Sequence, residues 1–325
     1  VDEALGAGRA PWDEATGMVG NGASHSSRQT MLYAAGLILR NRPEDIERAT
    51  RAIRVVLKLQ YDAPGMDWHG TYKLNEREPD QPKPTLLEKG YDENWREFIG
   101  TAQIMLLEGC PERLDPALRE EIRAALRRAC EGAHARQVSW RYTNIAIMSA
   151  YLLAWGGRQF EESAWSRHGA ELAGEIYNGF VRHQAFQEYN SPTYSGADLY
   201  ALAIWRALPV FPEMADRARE MESGFWRDLA RHYHADLGNF CGPFDRSYGM
   251  DMRKYLALCS LGIALALDLP TALPDPADVE HHEFETAFLP LMAALGMNMP
   301  EDAAAHFRAF QGPRRFDQTI EQGEY

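Results

Sequence analysis

Lysine is scarce in this 325-residue chain: five of its 34 basic residues are Lys (58, 73, 83, 89 and 254), and the rest are Arg. Positive charge is short as a whole, because 47 acidic residues leave a formal net charge of −13. That balance argues against a general nucleic-acid binder, since a phosphate backbone demands clustered Lys and Arg. An acidic protein can still bind an anionic sugar at one local site. Cysteine is also sparse. Cys110, Cys130, Cys241 and Cys259 are far apart, form no C-x-x-C pair and have no His beside them at metal-ligand spacing, so they read as buried thiols with no metal site. No apolar run approaches the roughly 20 residues that span a bilayer. The stretch Leu256 to Leu269 is too short, carries Asp268 and reads as a buried helix. The chain starts at Val1 rather than Met with no signal peptide in view, so a trimmed or processed N-terminus is expected.

What is present is 45% hydrophobic content, enough to bury a substantial core. The apolar residues recur at helical spacing. Ser27 to Arg40 has Met31, Ala34, Ala35 and Ile38 on one face, and Pro43 opens a second helix ending near Gln60. Trp95 to Glu108 pairs in the same way with Pro116 to Arg136, Asn144 to Trp155 with Glu162 to Phe180, Gly196 to Ala207 with Ala215 to His234, and Asp251 to Asp268 with Glu283 to Gly296. No alternating β pattern of any length competes. The expectation is an all-α fold of about five to six helical hairpins, a flat solenoid or a closed toroid, in a single domain over residues 1–325. Residues 61–94, rich in Pro, Gly and charge, read as one long loop of the kind that is functional or mobile.

The first helices of successive hairpins start near residues 27, 95, 144, 196 and 251, about 50 residues apart after the first gap. Just before each start lies a segment dense in polar and aromatic residues: Asn21 to Ser27, Tyr91 to Arg96, Trp140 to Asn144, Glu188 to Tyr194 and Gly242 to Tyr248. Loops of one phase lie on one face of stacked hairpins, so these residues would converge on one rim.

The richest of them, Phe186 to Gly196, puts Glu188, Tyr189, Asn190, Ser191, Thr193 and Tyr194 around a stiffening Pro192. Its bland alternative is a capping loop. Asp245, Arg246 and Tyr248 offer a carboxylate, a guanidinium and a phenol within four residues. An Arg fork binds carboxylates bidentately, and a nearby cation favours a phenolate. Thr143 or Asn144 serves equally well as an N-cap, and Trp95, behind Asn94, as a sugar platform or as plain core. His25 lacks a second ligand one turn on and is kept as a polar contact. His232 and His234 lie at a helix end where a cation suits the dipole. His281 and His282 read as surface residues.

These loops resemble those of the chondroitin AC, hyaluronate and xanthan lyases. In that family a helical toroid carries an Asn-Trp-x-x-x-x-Ile-Gly segment, a helix-start Asn, a loop running from His to Tyr and an Arg loop. Asn94-Trp95 to Ile99-Gly100 looks like the aromatic substrate patch, one residue shorter. Thr143-Asn144 resembles the stretch whose Asn neutralises the uronate carboxylate, Phe186 to Gly196 the loop ending in the catalytic Tyr, and Arg246 the assisting Arg. The matches span residues 90 to 250 in the family's order. The family's loop His has no counterpart, and Glu188 or Asn190 stands near its place. The family's following β-sandwich has none either, so the chain would be a toroid-only variant or an excised domain.

The resemblance implies β-elimination on an oligo- or polysaccharide, with Tyr194 as base, Asn144 and Arg246 on the uronate carboxylate, and Glu188 or Tyr248 orienting. Asn94, Trp95, Tyr189, Asn190, Asp245 and His25 are the candidate substrate contacts. No cofactor or metal is called for, and the setting would be secreted or periplasmic. The competing readings are a glycoside hydrolase using Glu188 with Asp92, Glu93 or Asp245, an isomerase or dehydratase for a small molecule, and a non-catalytic glycan-binding or scaffolding protein.

Overall fold

The computed structural model describes residues 12–20, 25–246, 249–275, 277–280 and 282–320. Eleven α-helices account for most of the described residues. They are α1 Ser27–Arg40, α2 Pro43–Lys58, α3 Trp95–Gly109, α4 Pro116–Arg136, α5 Thr143–Gln159, α6 Ser163–His183, α7 Pro192–Ala207, α8 Pro212–His232, α9 Leu258–Leu267, α10 Leu289–Leu295 and α11 Glu301–Arg308. The only named strands among the described residues form two-residue ribbons: β1 Trp12–Asp13 with β2 Met18–Val19, and β3 Tyr233–His234 with β4 Asn239–Phe240. The helical expectation therefore holds.

Local chemistry sets the helix boundaries. Pro stands at the first position of α2, α4, α7 and α8, where its missing N–H is no loss. Ser26 accepts from the Gln29 N–H at the start of α1, and Asp115 from the Leu118 N–H at the start of α4. Asn41 and Gln137 end α1 and α4 in the left-handed conformation.

The chain forms two compact units, residues 1–138 with 148–170 and residues 139–147 with 171–325. In the first, α1 packs on α2 and α3, and α3 and α2 both pack on α4. Its loop over 61–94 is tied down. Tyr61 and Tyr72 are buried, the Tyr61 N–H donates to Thr71 O (2.8 Å), and the Thr71 hydroxyl donates to Asp92 O (2.6 Å).

In the second unit, α7 is the central helix. It packs against α8, α9 and α10, and is buried from Ser195 to Trp205 almost all round, as a helix without a polar face must be. Gly196 makes the crossing with α9 possible, because a Cβ there would lie 2.2 Å from the Leu258 carbonyl carbon. α11 packs on α8.

Two expectations about the chain's last third are corrected. The helix expected over Asp251 to Asp268 spans only Leu258–Leu267, because Asp251 O closes a turn with the Lys254 and Tyr255 N–H groups and Ala257 is extended. The helix expected from Glu283 is a 3-10 turn, Glu283–Phe288, running into the short α10. α11 was not expected, although Pro300 followed by Glu301 and Asp302 marks its start. Of the four cysteines, Cys110, Cys130 and Cys259 are buried as expected, and Cys241 is exposed.

Candidate functional site

The second unit gathers three of the polar segments. Thr143 and Asn144 open α5, the loop 186–191 leads into α7, and the segment 241–246 follows β4. The Trp205 indole N–H on α7 donates to Ile147 O (3.0 Å), fixing the first turn of α5. Asn190 joins the two loops. Held at φ 48°, it donates from Nδ2 to both Cys241 O and Pro243 O at 2.8 Å, and the Asp245 N–H donates to Tyr189 O (3.0 Å). Asn190, expected to touch substrate, is 2% exposed and acts here as a loop clamp.

Glu188 lies at the centre and is fully buried. Its Oε2 accepts three hydrogen bonds, from the Thr143 hydroxyl (2.7 Å), the Asn144 N–H (3.0 Å) and Asn144 Nδ2 (2.6 Å). A helix N-terminus has unsatisfied N–H groups that suit a carboxylate, so Glu188 caps α5 from another segment. Its other oxygen, Oε1, has no hydrogen-bond partner and lies 3.8 Å from Arg246 Nη1. Burial pushes the Glu188 carboxyl up from its usual range, while the donations from Asn144 and Thr143 and the charge of Arg246 pull it back. The Asn144 amide expected on a substrate carboxylate is thus engaged with Glu188.

Arg246 is half-buried and lies near two phenol rings. Its guanidinium carbon is 4.4 Å from the Tyr194 ring centre and 5.9 Å from that of Tyr142. Tyr194 is partly exposed in the first turn of α7. The result is a cation fixed from behind by a buried carboxylate and stacked on a reachable phenol. Tyr248 lies outside the described residues. Asp245 has its carboxyl pushed up by burial, opposed by the Arg246 N–H and charge, and its Oδ2 has no hydrogen-bond partner.

Tyr189 belongs to a neighbouring cluster. Its hydroxyl lies 3.0 Å from Gln318 Oε1 and 2.8 Å from His232 Nε2, within hydrogen-bonding distance of both. Phe316 packs edge-on against His232 at 4.9 Å. The expected cationic His232 is corrected, since burial, with Arg231 and Arg314 nearby, lowers its pKa to about 4 and keeps it neutral. His282, expected at the surface, is partly buried against Tyr255, 2.9 Å from Nδ1 to the hydroxyl.

The remaining candidates belong to the first unit. His25 is buried between Glu76 Oε1 (2.8 Å from Nδ1) and Asp13 Oδ2 (3.0 Å from Nε2), and so ties the β1–β2 ribbon to the long loop. Asn94 precedes α3, its N–H donating to Asp92 Oδ1 (2.8 Å), and Trp95 stacks under Arg28 with 5.6 Å to the ring centre. Glu93 pairs with Lys89 and Arg136. Among the described residues, no group of three or more His, Cys, Asp or Glu could hold a metal ion, and no helix is long and apolar enough to cross a membrane.

Two residues at the site escaped the sequence reading. Tyr142, two residues before Asn144, carries no spacing signal of its own. Asp198 is a fully buried carboxylate on α7 whose two oxygens have no hydrogen-bond partner. Its signal was a lone acid in the apolar run Ala197 to Ile204, with no partner in sequence to give it meaning.

No curated protein and no solved structure matches the chain. A family model described as a domain of unknown function, DUF8769, matches residues 1–297, and the chain belongs to that family.

Proposed function

We propose that this protein is a polysaccharide lyase that cleaves uronic-acid-containing glycans by β-elimination, built on helical hairpins closed into an (α/α) toroid and working in a secreted or periplasmic setting. The observation that carries the reading is the Arg246 guanidinium, 4.4 Å from the Tyr194 ring centre with Glu188 Oε1 3.8 Å away.

In this reading Arg246 pairs with the uronate carboxylate and draws off charge as the C5–H bond weakens. Tyr194, as phenolate, takes the C5 proton. The electron pair left on C5 forms the C4–C5 double bond as the C4–O bond breaks. The phenol then returns its proton to the leaving oxygen, so proton and electrons balance. Glu188 and Asn144 act from behind, holding Arg246 and the start of α5. The scheme calls on no metal or cofactor.

Glycoside hydrolysis is less well supported. Its acid and base must reach substrate, and Glu188 is sealed from solvent with Oε2 taken by three donors. Asp245 is the carboxyl that such an enzyme would use as acid. The two are separated by incubating the protein with a panel of uronate polysaccharides while following both the ultraviolet absorbance of unsaturated uronate and new reducing ends. A rise in both is expected. Reducing ends without absorbance overturn the lyase reading in favour of hydrolysis, and silence in both overturns it in favour of binding or small-molecule chemistry.

A further inference from the structure

The Thr143 hydroxyl has one proton and two buried carboxyl groups around it. The proton goes to Glu188 Oε2 at 2.7 Å. Asp198 is sealed from solvent and near enough for the Thr143 hydroxyl to act on its proton affinity, yet neither of its oxygens is at hydrogen-bonding geometry to any donor. An ionised Asp198 would be a buried anion without a donor, facing a second anion. Such a charge is tolerated only when paired.

Glu188 is the opposite case, with three donors on one oxygen and Arg246 beside the other. The negative charge of the pair therefore belongs on Glu188, and the missing donor must come from Asp198 itself. Burial, and then the charge of Glu188, raise the Asp198 carboxyl well above its usual range, in agreement with the geometry. Cys259, within electrostatic reach of Asp198, is itself buried and keeps its thiol proton, so no cation stands there to pair with an ionised Asp198.

We propose that Asp198 is a neutral carboxylic acid whose O–H donates to Thr143 Oγ1, and that this proton sets the direction of the chain Asp198–Thr143–Glu188–Arg246. A hydroxyl that accepts from Asp198 has its own proton aimed at Glu188. Glu188 is then held ionised against Arg246, and Arg246 against the Tyr194 ring. Asp198 touches no substrate and is a positioning residue. Its part in catalysis rests on the lyase reading above, whereas its protonation state does not.

Infrared spectroscopy of the intact protein separates the two. The spectrum is taken at a pH well above 6, where Asp228 is ionised; Asp45, also buried, is held ionised by Arg40. The wild type should show the carbonyl band of a protonated carboxylic acid that shifts when aspartate carboxyls are labelled with carbon-13. Asp198→Asn should remove that band and Glu188→Gln should leave it. Absence of the labelled band in the wild type, or its survival in Asp198→Asn, overturns the proposal. The label needs no variant, so a misfolded substitution does not block the test.

In the elimination assay, Asp198→Leu should lose about tenfold in turnover, the effect of one neutral hydrogen bond at the top of its range, and Asp198→Asn, which keeps an N–H donor, should recover most of that loss. Equal loss in both variants overturns the positioning role. A wild type without elimination activity overturns the lyase reading and leaves the band as the measure of the proton.

Discussion

Asp228 and His232 stand one turn apart on α8, and burial shifts their proton equilibria in opposite directions. Burial raises the Asp228 carboxyl from 3.8 to about 6, against a hydrogen bond from Gln318 and the charge of Arg231. It lowers the His232 imidazole from 6.5 to about 4, with Arg231 and Arg314 adding to the shift. The Asp228 contribution is fully present below pH 3.8 and is lost as pH rises through about 6, because the folded chain keeps a proton that the unfolded chain has released. The His232 contribution has the opposite sign. It is fully present above pH 6.5 and is lost as pH falls toward about 4, because the unfolded chain takes up a proton that the folded chain refuses.

Each shift is a little over two pH units, or about 3 kcal/mol at 1.36 kcal/mol per unit. In the window they share the two slopes cancel, and the wild type hides both. Asp228→Asn removes the carboxyl's contribution, so that relative to the wild-type profile stability should gain about 3 kcal/mol as pH rises from 3.8 to 6. His232→Gln removes the imidazole's contribution and should lose about 3 kcal/mol as pH rises from 4 to 6.5 on the same comparison. Urea unfolding at a series of pH values measures this, with the wild-type curve subtracted at each pH so that every other titrating group drops out. Difference curves that are flat, or that share one sign, would refute the reasoning.

Four further outcomes follow from the geometry. Tyr194→Phe should lower elimination turnover about 100- to 10,000-fold, the range for a lost proton-transfer group, while unfolding stays near wild type; retained activity removes Tyr194 as the base. Glu188→Gln should cost about 1.5–3 kcal/mol of stability, since three donors lose a charged acceptor, and an unchanged melting curve would contradict the cap it forms on α5. Gly196→Ala should destabilise by about 1–3 kcal/mol through overpacking against the Leu258 backbone, measured by chemical denaturation, and a neutral result would mean that α9 can move aside. His25→Ala should free the 61–94 loop from the β1–β2 ribbon, read as faster limited proteolysis within the loop, whereas an unchanged cleavage rate would show that the buried tyrosines alone hold it.

Period 3.6 and Pro at helix starts carried most of the helices, because those signals act within a few residues of the place they mark. They failed where the determinant was distant. Leu256 and Ala257 look helical by composition, yet the Ala257 N–H closes a tight turn on Tyr255 O and Ala257 itself is extended, with Tyr255 taken into the core. The polar loops were legible as a set from their common phase. Within the second unit Glu188, Asn144, Arg246 and Tyr194 do meet, whereas Trp95, Asn94 and His25 make their own contacts in the first.

The chain by itself determined the helical class, the places of most helices and the identity of the polar segments, since these follow from local spacing and residue type. Only the tertiary structure decided what each polar side chain does. Asn144 and Asn190 turned from substrate contacts into hydrogen-bond donors inside the protein, and His232 from cation to neutral ring. The physical reason is burial. A carboxylate, amide or imidazole takes its charge and partners from groups 40 to 130 residues away, such as Glu188 for Asn144 and Gln318 for Tyr189. The lone Asp198 in an apolar run acquires its meaning only when folding sets it beside Thr143 and Glu188.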